Sequence, residues 1–278
     1  MIKIENLYFS YGKHMVYENL SLEIPKNQVL LITGINGVGK STLLKLIAGV
    51  LLPERGKIHF SPEIGPEPKR KIGFISDSMS IYENLTVKEM IEVHRTLYGI
   101  DEFDDSLIKH TKIRMDQKIK DLSIGQRVIF HLNLILSHNP DILLIDEVIH
   151  SIDAYLRDLF LKELIRVISE RQVTVILVNL NFYDIENIVD RVILIKDGKI
   201  EVDEPIEKLK QRVKKVISPI RPENLPVIFL YPLGNMYEYF IYPFREEYMK
   251  SLEGEVVDLD LTEIIKAFIG GEYVEKGV

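Results

Sequence analysis

Gly34-Ile35-Asn36-Gly37-Val38-Gly39-Lys40-Ser41-Thr42 is the stretch whose reading decides the fold. It follows the apolar run Val29-Leu30-Leu31-Ile32 and precedes Leu43-Leu44-Lys45-Leu46-Ile47-Ala48-Gly49. That order is strand, glycine loop and helix, with Gly49 as the helix stop. Glycines at 34, 37 and 39 let successive backbone N–H groups turn onto phosphate oxygens, and the new helix adds its positive N-terminal end. Lys40 is placed to reach the β- and γ-phosphates, and the Ser41 hydroxyl to ligate Mg²⁺. A loop that merely reversed the chain would need neither the lysine nor the hydroxyls.

The rest of the composition bounds the answer. At 278 residues and 46% hydrophobic, the chain holds one large domain and a small appendage. A formal net charge of −7 argues against a nucleic-acid-binding face. Zero cysteines exclude disulfides and thiolate metal sites. No apolar run approaches the roughly 18–20 residues that span a bilayer, and the N-terminus alternates like a strand. The expectation is a soluble cytoplasmic chain that meets a membrane only through a partner.

Working outward, residues 1–30 read as short β-strands with turns at Tyr11-Gly12-Lys13 and Ile24-Pro25-Lys26-Asn27. Strands follow near 57–60 and 71–75. Thr86-Val87-Lys88-Glu89 is a capping box, opening a helix that runs to Gly99. His94 on its apolar face reads as a core-edge residue, and the acidic cluster 101–105 as a solvated loop. A second helix spans 124–137, ended by Asn139-Pro140. Continuous apolar runs at 142–145 and 173–178 suit buried parallel strands, with an amphipathic helix at 154–169 between them. Asp197-Gly198 marks a hairpin. Beyond the charged segment 204–215, Pro219, Pro222 and Pro226 suggest a linker, followed by strands at 227–231 and 238–242 and a helix at 261–268.

The strand Ile142-Leu143-Leu144-Ile145 ends in Asp146-Glu147. The first acid suits a Mg²⁺-water contact beside Ser41; the second could deprotonate a water attacking the γ-phosphate. Between the glycine loop and this strand lies Leu122-Ser123-Ile124-Gly125-Gln126, immediately before a helix. On its own this string is a helix N-cap with Ser123 as the cap. In this order the three motifs resemble those of the ATP-binding subunits of ABC transporters. The resemblance covers residues 1–205 and implies an α/β, P-loop ATPase domain: an N-terminal β subdomain, a RecA-like parallel core and a helical subdomain at about 78–137. An ATP-binding domain over 1–210 and a small C-terminal α/β accessory domain over 211–278 are expected.

The resemblance also assigns roles. Tyr11, 29 residues before Lys40, matches the aromatic that stacks on adenine. Gly34, Asn36, Gly37, Gly39, Lys40, Ser41 and Thr42 would hold the ATP phosphates. Ser123, Gly125 and Gln126 would close onto the γ-phosphate held by a second subunit, identical or paralogous. Ser151-Ile152-Asp153 would contact that opposite subunit. Mg²⁺ would be met by Ser41, Asp146 and Asp77, with Glu147 as the catalytic base. Ile81-Tyr82-Glu83-Asn84-Leu85-Thr86-Val87-Lys88-Glu89 and the ending at 258–269 resemble the subgroup serving ABC-2-type exporters. Separate integral membrane subunits would dock on the segment 77–99.

Several positions depart from the family pattern. Ile124 stands where the best-known signature has glycine, Asp77 where the family has a glutamine, and Val148 where a proline is usual. Leu180 occupies the position of a histidine that donates to the γ-phosphate; losing one such donor can cost on the order of 10²–10³ in rate. His150, nearby in sequence, reads as a surface residue at the dimer edge. Two readings follow: slow ATP hydrolysis, or a clamp that binds ATP beside a more active partner. A non-transport ABC ATPase is a further class, although such chains usually carry two nucleotide domains or a long coiled coil.

Overall fold

The computed structural model describes residues 1–76, 82–148, 152–178, 185–250 and 253–275. Asp77, Ile81, His150, Ser151 and Leu180 fall outside these residues.

The central element is a six-stranded sheet in the order β5-β6-β7-β3-β8-β9. Its strands are β3 (Val29–Thr33), β5 (Ile72–Ser76), β6 (Ile142–Asp146), β7 (Thr174–Val178), β8 (Arg191–Lys196) and β9 (Lys199–Pro205). Five run parallel, and β9 returns antiparallel through the Asp197-Gly198 turn. β3, β6 and β7 are buried at every residue, which explains why each reads as an unbroken apolar run. The twofold alternation of a strand still divides them. Leu30 and Ile32 join Leu144, Ile176 and the helix α1 (Lys40–Ile47) on one face; Val29 and Leu31 join Leu143, Val175 and Leu177 on the other.

The first of these faces is covered by a three-stranded antiparallel sheet, β2-β1-β4. Here the expectation of short strands is corrected. β1 (Ile2–Tyr11) and β2 (His14–Ile24) are long and form one hairpin, with register irregularities between Ile4 and Ser10. Bulges break the strict apolar alternation that marks a long strand in sequence. β4 (Arg55–Phe60) completes this sheet.

The helical subdomain carries α2 (Val87–Tyr98), α3 (Ser106–Lys109) and α4 (Ile124–Ser137). Val87, Ile91, Ile108, Ile119, Phe130 and Leu134 make its core. α4 also packs against α5 (Ala154–Arg171), and that contact fixes how the subdomain meets the sheet.

The charged stretch beyond β9 folds as α6 (Ile206–Arg212) and β10 (Lys214–Ser218). β10 pairs with β12 (Met236–Ile241) and β13 (Glu255–Val257), and β11 (Val227–Leu233) flanks β12. The prolines at 219, 222 and 226 therefore do not separate two units. They bend the connection from β10 to β11 inside one four-stranded sheet, where a missing N–H costs no ladder bond. The last helix, α7 (Leu261–Glu275), packs on β11 and α6. Leu259, Leu261, Ile264, Ile265 and Phe268 share one apolar cluster with Val192 and Leu194 of the large sheet's second face and with Ile185 ahead of β8.

Candidate functional site

α1 begins where the glycine loop ends. Its N-cap is Gly39, at φ 109°, and no side chain caps the helix. The first-turn N–H groups are thus left for a ligand, the arrangement that suits an anion. Gly34 has a separate requirement: a Cβ there would lie 2.3 Å from the carbonyl oxygen of Ile195. Gly37 is in open space but at φ 82°, a conformation other residues adopt at a cost.

Lys40 is buried, and its ammonium donates to the carbonyls of Gly34 and Ile35, both at 2.9 Å. Burial pulls its pKa below the ordinary lysine value, while the charges of Glu147 and Asp146 oppose that shift. Ser41 Oγ donates to Asp146 Oδ1 at 2.9 Å, joining the glycine loop to the end of β6. Asp146 is buried there, opposite Ser76 on one side and Val178 on the other. The next residue, Glu147, has its backbone at φ 52°, which a non-glycine residue rarely takes. Its N–H donates to the Val178 carbonyl at 2.9 Å, and that bond holds the turn in which the carboxylate leaves the strand.

These groups meet in one open cavity of about 360 Å³, lined by Tyr11, His14, Val16, Asn36, Gly37, Gly39, Lys40, Ser41, Thr42 and Glu147. The Tyr11 ring is half exposed at the end of β1, with its hydroxyl 3.5 Å from Thr42 Oγ1. Eight of the sequence-derived residues are therefore gathered, and Asp146 is tied in through Ser41. His14 and Val16 were missed in the sequence. The signal for them is the tight turn at Gly12-Lys13, which sets His14 opposite Tyr11.

Ser123, Gly125 and Gln126 are not among the lining residues of that cavity. They form the start of α4, where the exposed Ser123 is the N-cap of a complete capping box and Gly125 is buried. Gln126 N–H donates to Ser123 Oγ at 3.2 Å, and Ser123 N–H to Gln126 Oε1 at 3.0 Å. The serine hydroxyl accepts in this box and keeps its own proton to donate elsewhere. Gly125 is required by packing, since a Cβ would stand 2.7 Å from Leu156 Cδ1. Val148, at the usual proline position, is wholly buried in the core. Asp153 caps α5 by accepting from the N–H groups of Tyr155 and Leu156.

Comparison with known proteins identifies the family. The family model described as ABC transporter matches residues 17–150. The lantibiotic transport ATP-binding protein SrtF of Streptococcus pyogenes is 30% identical over 205 residues, covering 72% of this chain and 89% of that protein. The ABC transporter ATP-binding protein YtrB of Bacillus subtilis is 26% identical and spans 98% of this chain and 99% of its own. Among solved structures, a dimeric ATP-binding cassette in a post-hydrolysis state with ADP and Pi superposes with a TM-score of 0.63 at 23% identity, covering 74% of this chain and 99% of that one. The chain belongs to the ATP-binding subunits of ABC transporters, and its activity is that of an ATP hydrolase.

Proposed function

We propose that this chain drives an exporter, hydrolysing ATP between two ATP-binding subunits to move separate membrane subunits. The observation that carries the proposal is the single cavity uniting Tyr11, Lys40, Ser41 and Glu147, while the Ser123 helix start stands outside it. In this reading adenine stacks on the exposed Tyr11 ring. The phosphates lie on the N–H groups of residues 37–42, and Lys40 balances their charge.

The hydroxyl of Ser41 and the carboxylate of Asp146 are hard oxygen donors already in contact, a set that suits Mg²⁺. When bound there, the ion would offset charge on the β- and γ-oxygens. Glu147 then takes the proton of the attacking water. Ser123, with Gly125 and Gln126 behind it, donates to the γ-phosphate held by the other subunit, a second copy or a paralogue. Support for two subunits comes from the dimeric form of the solved cassette.

The docking face for the membrane subunit lies on residues 77–99. Within it, Leu85, Val93 and, from the neighbouring loop, Met115 line an open groove bordered by Lys88, Glu89 and Glu92. No described helix is long and apolar enough to cross a membrane, so the membrane partner brings the spans and this subunit sits at the cytoplasmic face. The lantibiotic transport relative supports the outward direction. Residues 211–278 form the accessory unit.

Copurification with the membrane partner, followed by measurement of ATP turnover, tests the proposal. Mg-ATP hydrolysis is expected, with Glu147→Gln lowering turnover by about 10²-fold or more while ATP binding persists. Unchanged turnover in Glu147→Gln would remove the base assignment.

A further inference from the structure

Tyr17 lies on β2 with its side chain wholly buried, and its hydroxyl has a task that packing alone does not require. It donates to the Gly39 carbonyl at 2.7 Å. The same carbonyl accepts Leu43 N–H at 2.9 Å, the first hydrogen bond of α1. A glycine N-cap leaves the first-turn N–H groups open to an anion, but it also leaves the turn before Lys40 free to rotate. Tyr17 and Val16 remove that freedom. They press so closely on Gly39 that a Cβ there would come within 2.8 Å of the Tyr17 oxygen and 2.6 Å of Val16 Cγ1. Burial pushes the phenol pKa up, so the group remains a donor throughout the working pH range.

The other end of the connection is the hairpin itself. Tyr17 pairs with Phe9 and His14 with Tyr11, so the strand that grips Gly39 also carries one wall of the cavity. Tyr11, His14, Val16, Gly39 and Lys40 line that single space. We infer that Tyr17 is a positioning residue for nucleotide binding: its hydroxyl locks the turn before Lys40 to the hairpin bearing Tyr11, presenting the base platform and the phosphate cradle at fixed spacing. The inference rests on the assignment of this cavity as the ATP site.

Calorimetric titration with Mg-ATP and steady-state hydrolysis test it on three variants. Tyr17→Phe keeps the ring and deletes the hydroxyl. Tyr17→Leu fills the core without a ring. Tyr239→Phe deletes another buried tyrosine hydroxyl, in the C-terminal sheet. Both Tyr17 variants are expected to raise Kd and KM for ATP about five-fold, the usual weight of one hydrogen bond, with kcat within about two-fold. Tyr239→Phe is expected to leave all three constants unchanged. The inference is overturned if both Tyr17 variants bind ATP within about two-fold of the parent, if kcat falls with KM unchanged, or if Tyr239→Phe raises KM equally. Lys40→Ala run alongside separates the layers. Should it keep full ATP affinity, the site assignment fails; should it lose affinity while the Tyr17 variants do not, only the role of Tyr17 fails.

Discussion

At the scale of single residues, the site depends on a few atoms supplied by single side chains. The Lys40 ammonium is buried and aimed into the glycine loop, so Lys40→Ala should weaken Mg-ATP binding by roughly a hundred-fold, two charge-assisted hydrogen bonds' worth. Equilibrium binding of a fluorescent ATP analogue measures this directly. Gly39→Ala should be worse for the fold than for affinity alone. Its φ of 109° and the contacts with Val16 and Tyr17 predict a loss of about 2 kcal/mol or more in urea unfolding. Gly39 was legible in the sequence as a phosphate-loop glycine. The need for Tyr17 was not, because Gly39 and Tyr17 are far apart in sequence and nothing in a strand pattern says where a hydroxyl points.

Elements show a different balance of local and distant information. α2 could be bounded from sequence because both its signals are local. Thr86 Oγ1 accepts from Glu89 N–H, Glu89 Oε2 accepts from Thr86 N–H at 2.7 Å, and Gly99 closes the helix in the left-handed conformation. Thr86→Ala should cost about 1 kcal/mol of stability, read as a shift in the denaturant midpoint. α6 and β10, by contrast, were hidden in a run of charges. Their lysines and arginines reach acids on other elements: Lys210 meets Glu186, Arg212 meets Glu204, and Lys214 meets Asp258. Charge that marks no element in the sequence is paired in space.

The joint between α2 and α4 adds a pH dependence. His94 is buried, its Nε2 lies 3.3 Å from His138 Nδ1, and the Tyr98 ring stacks on His138. Burial lowers the pKa of His94, and drives those of His131 and His138 down to about 4. On His131 and His138 the unfolded chain takes up protons near pH 6.5 and the folded one only near pH 4. This contribution to stability is therefore complete above about pH 6.5 and lost as the pH falls through that window to about 4. Thermal melting should show a falling Tm over this range, and His138→Gln should flatten the slope.

For the whole molecule, the decisive fact is that the C-terminal unit shares its core with the ATPase sheet. Leu259, Leu261, Ile264, Ile265 and Phe268 belong to the same cluster as Val175, Val192 and Leu194. Tyr242 on the C-terminal side donates to Glu204 Oε1 at 3.3 Å, beside the Arg212 contact. Uncovering several apolar side chains worth about 1.5–3 kcal/mol each exceeds what a marginally stable domain can lose. Truncation after Val213 should thus give an insoluble or unfolded product rather than a smaller ATPase, judged by soluble yield and circular dichroism. The sequence-based boundary at 210 falls within α6, between the two sheets. It could not show that α7 folds back onto the large sheet, since Val192 and Leu194 lie far earlier in the chain.

The capping box at the start of α4 bears on assembly in one further way. Ser123 and Gln126 already hold each other, so the serine's rotamer is chosen when the subunit folds. An interface built on it would not have to order that side chain at each encounter. The conformational entropy is lost once, during synthesis, instead of once per catalytic cycle. Repeated closing and opening of two such subunits would then be set by the nucleotide between them, with little drag from the protein surface that meets it.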